Sequence, residues 1–543
     1  MRWILATALV LGCSSAPPDA GLAPVSQVPV DSGHMVAVAL LGSHVYVADH
    51  GGLGLVVLRL EDDGSLVRIP WETEGPNDLI SLAVHEPSAT LFAAALGEGV
   101  FGYDLSDPAA PRLLPSDPST YGTVRAVAVH GDELLLAAYE RGLLAAPIDD
   151  GALGAPESVI DDVGVLAVTP FGEDVAVLTH DGTLRVGELQ VPLDGPPLAV
   201  ATDDTRVAVA LGSGGVQLFE RRGAGLERLV HLEPPGVVTH VDLEGDRVVA
   251  FALNGIFAYD VRTTPRLVGF HPSGPWREGR SGYFLGGLLL DDLVIASEWV
   301  HVSTFRWDTL GRVTALDHAR GVYLPPDGPI RFVVRNVGSQ PIFLRTQLWG
   351  RTLDRRTVPA NAEEAIVIDA GVEARAAILD LVQSAGPGEP TMHRAQVVVL
   401  RREEEDDPAR GRPAPGDPFP PLMMRAQSDD SLRQLPGARP ARLVFYSLGC
   451  AAIWPELMDA SWLAERGELD GGAELILASP DDERIQGYGV RWPLPMDRGY
   501  FYTEPEPSEL ATANARYGSG DTYFNAFHIY LPGDAHPTDY LLD

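Results

Sequence analysis

Seven times between about residues 35 and 315 the chain repeats one phrase: an apolar run, a turn carrying Gly, Asp or Asn, and a second apolar run. The copies are GSHVYVADHGGLGLVVLRL from Gly42, SATLFAAALGEGVFGYDL from Ser88, GDELLLAAYERGLLAAPI from Gly131 and GEDVAVLTHDGTLRVGEL from Gly172. DTRVAVALGSGGVQLFER from Asp204, GDRVVAFALNGIFAYDV from Gly245 and DDLVIASEWVHVSTFRW from Asp291 complete the series. Most are preceded by one more apolar run, such as Ile80 to His85 or Val124 to His130. Alternation with a two-residue period between such turns predicts antiparallel strands rather than helices.

The copies recur every 32 to 46 residues, a spacing that fits four-stranded units. One such unit cannot bury both of its faces, whereas a closed ring of them can. The expected fold of residues 35–322 is therefore a seven-bladed β-propeller. The phrases Tyr46 to Asp49, Tyr103 to Leu114 and Tyr259 to Phe270 resemble the LVIVD and related propeller repeats of bacterial surface proteins. That resemblance implies an architecture and says little about activity, because propellers host many functions. The histidines His44, His50, His85, His130, His180, His231 and His240 fall in different units without ligand-type spacing. Asp161-Asp162 and Asp203-Asp204 read as turn residues, since no DxDxDG spacing surrounds them.

The N-terminus opens with Arg2, an apolar run from Trp3 to Leu11, then Gly12 and Cys13. A short apolar run ending in a small residue reads as a secretory signal over residues 1–12. Val10-Leu11-Gly12-Cys13 resembles the bacterial lipobox. The resemblance implies lipid attachment at Cys13 and, with Ser14 following, an outer-membrane lipoprotein. Each buried methylene of such an anchor contributes about 0.8 kcal/mol. Residues 13–34, rich in Pro, Ser and Ala, are expected to be a lipidated, flexible tether.

Composition narrows the function classes. A formal net charge of −35 argues against nucleic acid, and it confines membrane attachment to the lipid. The chain has no lysine, so a Schiff-base or general-base lysine is excluded. Of two cysteines, a lipidated Cys13 leaves Cys450 as a lone thiol without an intramolecular partner.

Residues 326–402 carry the hairpin Phe332 to Arg345, the strand Thr357 to Ala370 and the strand His393 to Arg402. They resemble small bacterial immunoglobulin-like sandwiches with a V-x-N-x-G-x-x-P hairpin and a V-P-x strand. Residues 403–417 form a charged, Pro-rich linker.

In residues 418–543 an apolar strand ends near Cys450, a helix follows with Leu457, Met458 and Leu463 on neighbouring faces, and a strand ends in Ala478 to Asp482. With Ala414 to Met424 ahead of it and Glu509 to Gly518 behind, this order resembles the thioredoxin-like redoxins of the peroxiredoxin, TlpA and Sco branch. The resemblance implies a thiolate at Cys450 activated by a helix start, with Ser447 orienting peroxide. It departs from the family at Ile453 and Trp454, where a second cysteine would stand. Pro537 fits the cis-proline strand facing the cysteine, or else Thr522 to Asp534 is that strand with its proline lost.

These readings lead to a mainly β, multidomain lipoprotein that binds a protein or cell-envelope ligand on its propeller face, without metal or cofactor. Its redoxin-like domain is a degenerate one. The alternative is a one-cysteine thiol oxidoreductase or peroxidase, with Cys450 as nucleophile and an external thiol resolving it.

Overall fold

The computed structural model describes residues 21–308 apart from 31–33, 51, 72–74, 96–97, 116, 140, 235, 254, 273–282 and 299–300. Beyond 315 it describes the elements named below with a few flanking residues.

Seven antiparallel sheets follow one another along residues 21–308, each with the order first, second, third, fourth strand from one edge to the other, and the third carries a fifth strand, Glu157–Ile160, beside Leu143–Asp149. The seven hairpins legible in the sequence are the middle pairs. Sheet I, for example, runs His34–Leu41, His44–His50, Leu55–Leu60 and Leu66–Arg68. Sheet II begins at Leu79–His85, III at Ala126–His130, IV at Val165–Phe171, V at Ala199–Thr202, VI at Val238–Glu244 and VII at Phe284–Leu290. Each of these first strands packs against the first strand of the next sheet, and that of VII packs against that of I. The ring is thereby closed.

Buried side chains explain why it closes. Strands with apolar residues on both faces are satisfied only between two neighbours. Seven apolar clusters fill the seven junctions. Tyr46 and Leu55 of sheet I meet Leu91 and Tyr103 of II, and Phe92 and Val100 of II meet Leu134 and Leu144 of III. Leu135 and Leu143 meet Val168 and Val177 between III and IV, and Phe171 and Leu178 meet Val207 and Phe219 between IV and V. Leu218 and Leu232 meet Phe257 and Phe270 between V and VI, and Phe251 and Ile256 meet Phe284 and Phe305 between VI and VII. The last cluster joins Leu293, Ile295 and Val302 of VII to Met35, Val45 and Val47 of I.

One expectation is corrected here. Residues 13–34 read as a tether, yet Gly21–Pro29 is the outermost strand of sheet VII, antiparallel to His301–Asp308. Its prolines conceal it from a periodicity test, but proline is tolerated on an outer strand, where the missing N–H faces away from the ladder. Leu22 is buried in the VI–VII cluster, and the Ser26 hydroxyl accepts the Leu66 N–H of sheet I at 2.9 Å. The last sheet is thus completed by the start of the chain, which ties the two ends of the ring together.

A second boundary also moves. Leu316–His318 and Gly321–Leu324 fall inside the span 35–322 expected for the ring, but they pair with later strands. Leu316–His318 lies beside Ile330–Asn336, and Gly321–Leu324 runs parallel to His393–Arg401. They belong to two sheets of three and five strands. One buried cluster joins these sheets: Ile330, Phe332 and Ile366 from the first, Ile342, Leu344 and Leu381 from the second. The hairpin asparagine has a clear role. Asn336 Nδ2 donates to the Val358 and Pro359 carbonyls at 3.1 and 3.0 Å, pinning the Val-Pro strand to the hairpin.

The C-terminal sheet has seven strands, in the order 432–435, 422–426, 499–502, 474–479, 441–445, 527–531 and 540–541. Ala441–Phe445 and Glu474–Ser479 are parallel neighbours, joined through helix α1, Ile453–Glu465. Phe527–Leu531 lies antiparallel on the other side of Ala441–Phe445, and Tyr540–Leu541 lies beside it. Each of the two segments considered for the cis-proline strand thus contributes one strand to this edge of the sheet, Phe527–Leu531 and Tyr540–Leu541, and Pro537 lies outside the described residues.

Candidate functional site

In sheets I to VI the first-to-second and third-to-fourth connections lie at one end of the ring. The second-to-third turns and the links to the next sheet lie at the other, which we call the loop face. Single bridges knit this face together: His50 to Asp78, Tyr139 to Val165, and Gly212 to Val238 each join a turn to the start of the next sheet.

The predicted histidines divide between the two ends. His85 and His130 end first strands at the far end, and His85 Nδ1 lies 2.7 Å from the Ser88 hydroxyl in a local turn. His50 and His180 sit at the loop face. His50 is buried with Nδ1 3.7 Å from Asp78 Oδ1; burial lowers its pKa and the Asp78 charge opposes that shift. His180 packs edge-on against Tyr139 at 5.7 Å between ring centroids. His240 lies within the first strand of sheet VI, where burial holds its pKa down to about 4 against a hydrogen bond to the Gly287 backbone. Two residues on, burial raises the Asp242 carboxyl to about 6, although it accepts the Leu243 and Leu289 N–H groups at 2.9 and 2.7 Å. Among the described residues no three His, Cys, Asp or Glu side chains converge as a metal site would require.

The most built part of the loop face is where α1 seats on sheets III to V. Asp459 of α1 is 7% exposed. Its Oδ1 accepts both the backbone N–H and the hydroxyl of Ser213, each at 2.8 Å. Ser213 stands in the Leu211–Gly215 turn of sheet V, which is tight enough to leave its amide free to donate outward. Trp462, one helical turn after Met458, is buried. Its ring reaches the sheet IV turn at Gly182 so closely that a Cβ there would collide with Cη2. Gly182 also has φ +82, so its lack of a side chain serves both the turn and the contact. The Arg466 guanidinium stacks over the Trp462 ring at 3.3 Å. Met458 packs against the buried cluster shared by sheets IV and V, and its sulfur lies 3.7 Å from Arg125 Nη2. Burial lowers the Arg125 pKa to about 10, so it keeps its charge at neutral pH.

None of Arg125, Gly182, Ser213, Asp459 and Trp462 stood out in the sequence as functional. The available signal was on α1: apolar or small residues on neighbouring faces, with Leu457 and Ala460 buried as well as Met458's side, mark a helix covered from two directions. Cys13, Ser447, Cys450 and Pro537 lie outside the described residues, as does the linker 403–417. By chain position Cys450 precedes the first residue of α1 by three.

No protein family and no curated protein matches the sequence. Among solved structures, the β-propeller domain of Myceliophteria thermophila Cps50 (Swd1) is 13% identical, with TM-score 0.42, covering 52% of this chain and 99% of its own. The computationally designed Ika8 protein is 15% identical, with TM-score 0.36, at the same coverages. Likeness at that level carries no argument, and the assignment rests on strand order and buried contacts. On those grounds the chain is mainly β, built on four-stranded, propeller-like sheets around a closed ring.

Proposed function

We propose that this chain is an exported, lipid-anchored binding protein that presents a seven-bladed β-propeller to a protein or cell-envelope ligand. The observation that carries the reading is the loop face itself, which seats a protein segment through directed hydrogen bonds and a buried aromatic ring. A surface of that kind binds by shape and a few placed polar groups. The signal-like N-terminus, Gly12 and Cys13 support the anchor, and the two packed sheets after the ring support an immunoglobulin-like spacer.

The test places a photo-crosslinking residue at Asn77, exposed in the link between sheets I and II, and at Thr205, exposed at the opposite end. With the protein in its native envelope, a discrete adduct is expected from position 77 and none from 205. Equal patterns at both positions, or none at either, would refute a loop-face ligand. The anchor is read separately, by incorporation of labelled fatty acid into the wild type and its loss in Cys13→Ala.

A second reading is the one-cysteine oxidoreductase. It draws support from the C-terminal sheet, where a parallel strand–helix–strand crossover encloses Cys450 in the chain order that redoxins use. Saturable peroxide or disulfide turnover, lost in Cys450→Ser, would favour it.

A further inference from the structure

We infer that the Arg125–Gly182–Ser213 surface is a receptor for a helix, that α1 is its built-in occupant, and that an external partner enters by presenting a similar helix in its place. This rests on the binding reading above and names the kind of partner for that same face.

Three features make the surface a receptor rather than a chance contact. First, its two turns are shaped to be approached. A Cβ at Gly212 would stand 2.5 Å from Asp459 Oδ1, just as one at Gly182 would strike the Trp462 ring. Two adjacent sheets therefore present bare backbone to one helix. Second, the polar chemistry is directional. Ser213 offers two donors to one carboxylate oxygen, and a carboxylate hydrogen bond is about twice as strong as a neutral one. Third, the recognised residues share one stripe of a helix. Met458, Asp459 and Trp462 follow one another at intervals of one and three, which puts all three on one stripe of α1 against the ring, while Leu457 and Ala460, also buried, fall on other faces of the helix.

The ligand chemistry is then specific. The surface takes a helix with a thioether or similar apolar group, a carboxylate at the next position, and an indole three residues after the carboxylate. A covalently linked occupant holds its site at an effective concentration of order millimolar. An external helix must therefore bind more tightly than α1 does, or arrive when α1 has been released.

The probe is a labelled synthetic peptide spanning residues 453–466, added to the full chain. In Asp459→Ala/Trp462→Ala the resident helix loses its two main contacts while the ring is untouched. The peptide is expected to bind this variant at least tenfold more tightly than the wild type. Adding Ser213→Glu, which sets a carboxylate against the incoming Asp459, is expected to abolish that gain. As a check independent of the double variant's folding, Ser213→Glu alone should raise amide exchange in Leu457 to Glu465 at least tenfold, leaving Val238–Glu244 unchanged. Equal peptide binding to variant and wild type when α1 exchange is raised, or unchanged α1 exchange in Ser213→Glu, would overturn the inference. A crosslinked adduct at position 77 alongside either negative result would sink the helix receptor and leave the binding reading standing. Absence of both would end both.

Discussion

Replacing His240 should change how the ring responds to acid, and the size of the change follows from its surroundings. His240 packs against Phe251 at 5.7 Å between ring centroids. Burial holds its pKa down to about 4 from 6.5. A depressed histidine favours the folded state at neutral pH; that stability is present above 6.5 and is lost as pH falls through 4. The loss between pH 7 and pH 4 is about 3 kcal/mol, from about 1.4 kcal/mol per pKa unit. Asp242 acts in the opposite sense. Its carboxyl is raised to about 6 from 3.8, so its contribution is full below 3.8 and is lost as pH rises through 6, a change of about 2 kcal/mol over the same interval. In the wild type the two terms nearly cancel.

The variants separate them. His240→Gln should gain about 3 kcal/mol on the wild type between pH 7 and pH 4, and Asp242→Asn should lose about 2 kcal/mol. The assay is urea unfolding at both pH values, read as the difference from the wild type at each so that other carboxylates drop out. Parallel pH profiles for wild type and both variants would show that neither group is perturbed by the ring, and the burial argument would fail.

Three further outcomes are expected. A chain beginning at His34 strips the outer strand from sheet VII and should melt several degrees below one beginning at Ser14; equal melting points would mean that Gly21–Pro29 adds nothing to closure. Asn336→Ala removes two hydrogen bonds to the Val358 and Pro359 carbonyls and should cost about 2 kcal/mol, checked by denaturant midpoint against Asn336→Asp. Alkylation of Cys450 across pH, on a form lacking residues before Ser14, should titrate at or above about 8.5. A midpoint well below that, with fast reaction, would restore the redox enzyme.

The ring was legible because its information is local. Each hairpin needs only alternating apolar residues and a turn with Gly, Asp or Asn, and all seven middle pairs lie where these phrases stand. The strands Ile330–Asn336 and Ile342–Leu348 were legible for the same reason, and so was the order strand, helix, strand near the C-terminus. What the sequence could not show was which distant pieces meet. The strand Gly21–Pro29 has no period-two pattern, because an outer strand needs only backbone pairing and one buried anchor such as Leu22. Its place is decided by His301–Asp308, more than 270 residues away in the chain. The strands near residues 316–324 look like more ring, and only their partners assign them elsewhere. The helix site is the extreme case: Arg125, Gly182 and Ser213 come from three sheets and Asp459 and Trp462 from a fourth region, each an ordinary residue in its own sentence of the sequence. Periodicity in one dimension determined the sheets of this protein. Which ends close the ring, and which helix covers its face, depended on contacts that exist only once the chain has folded.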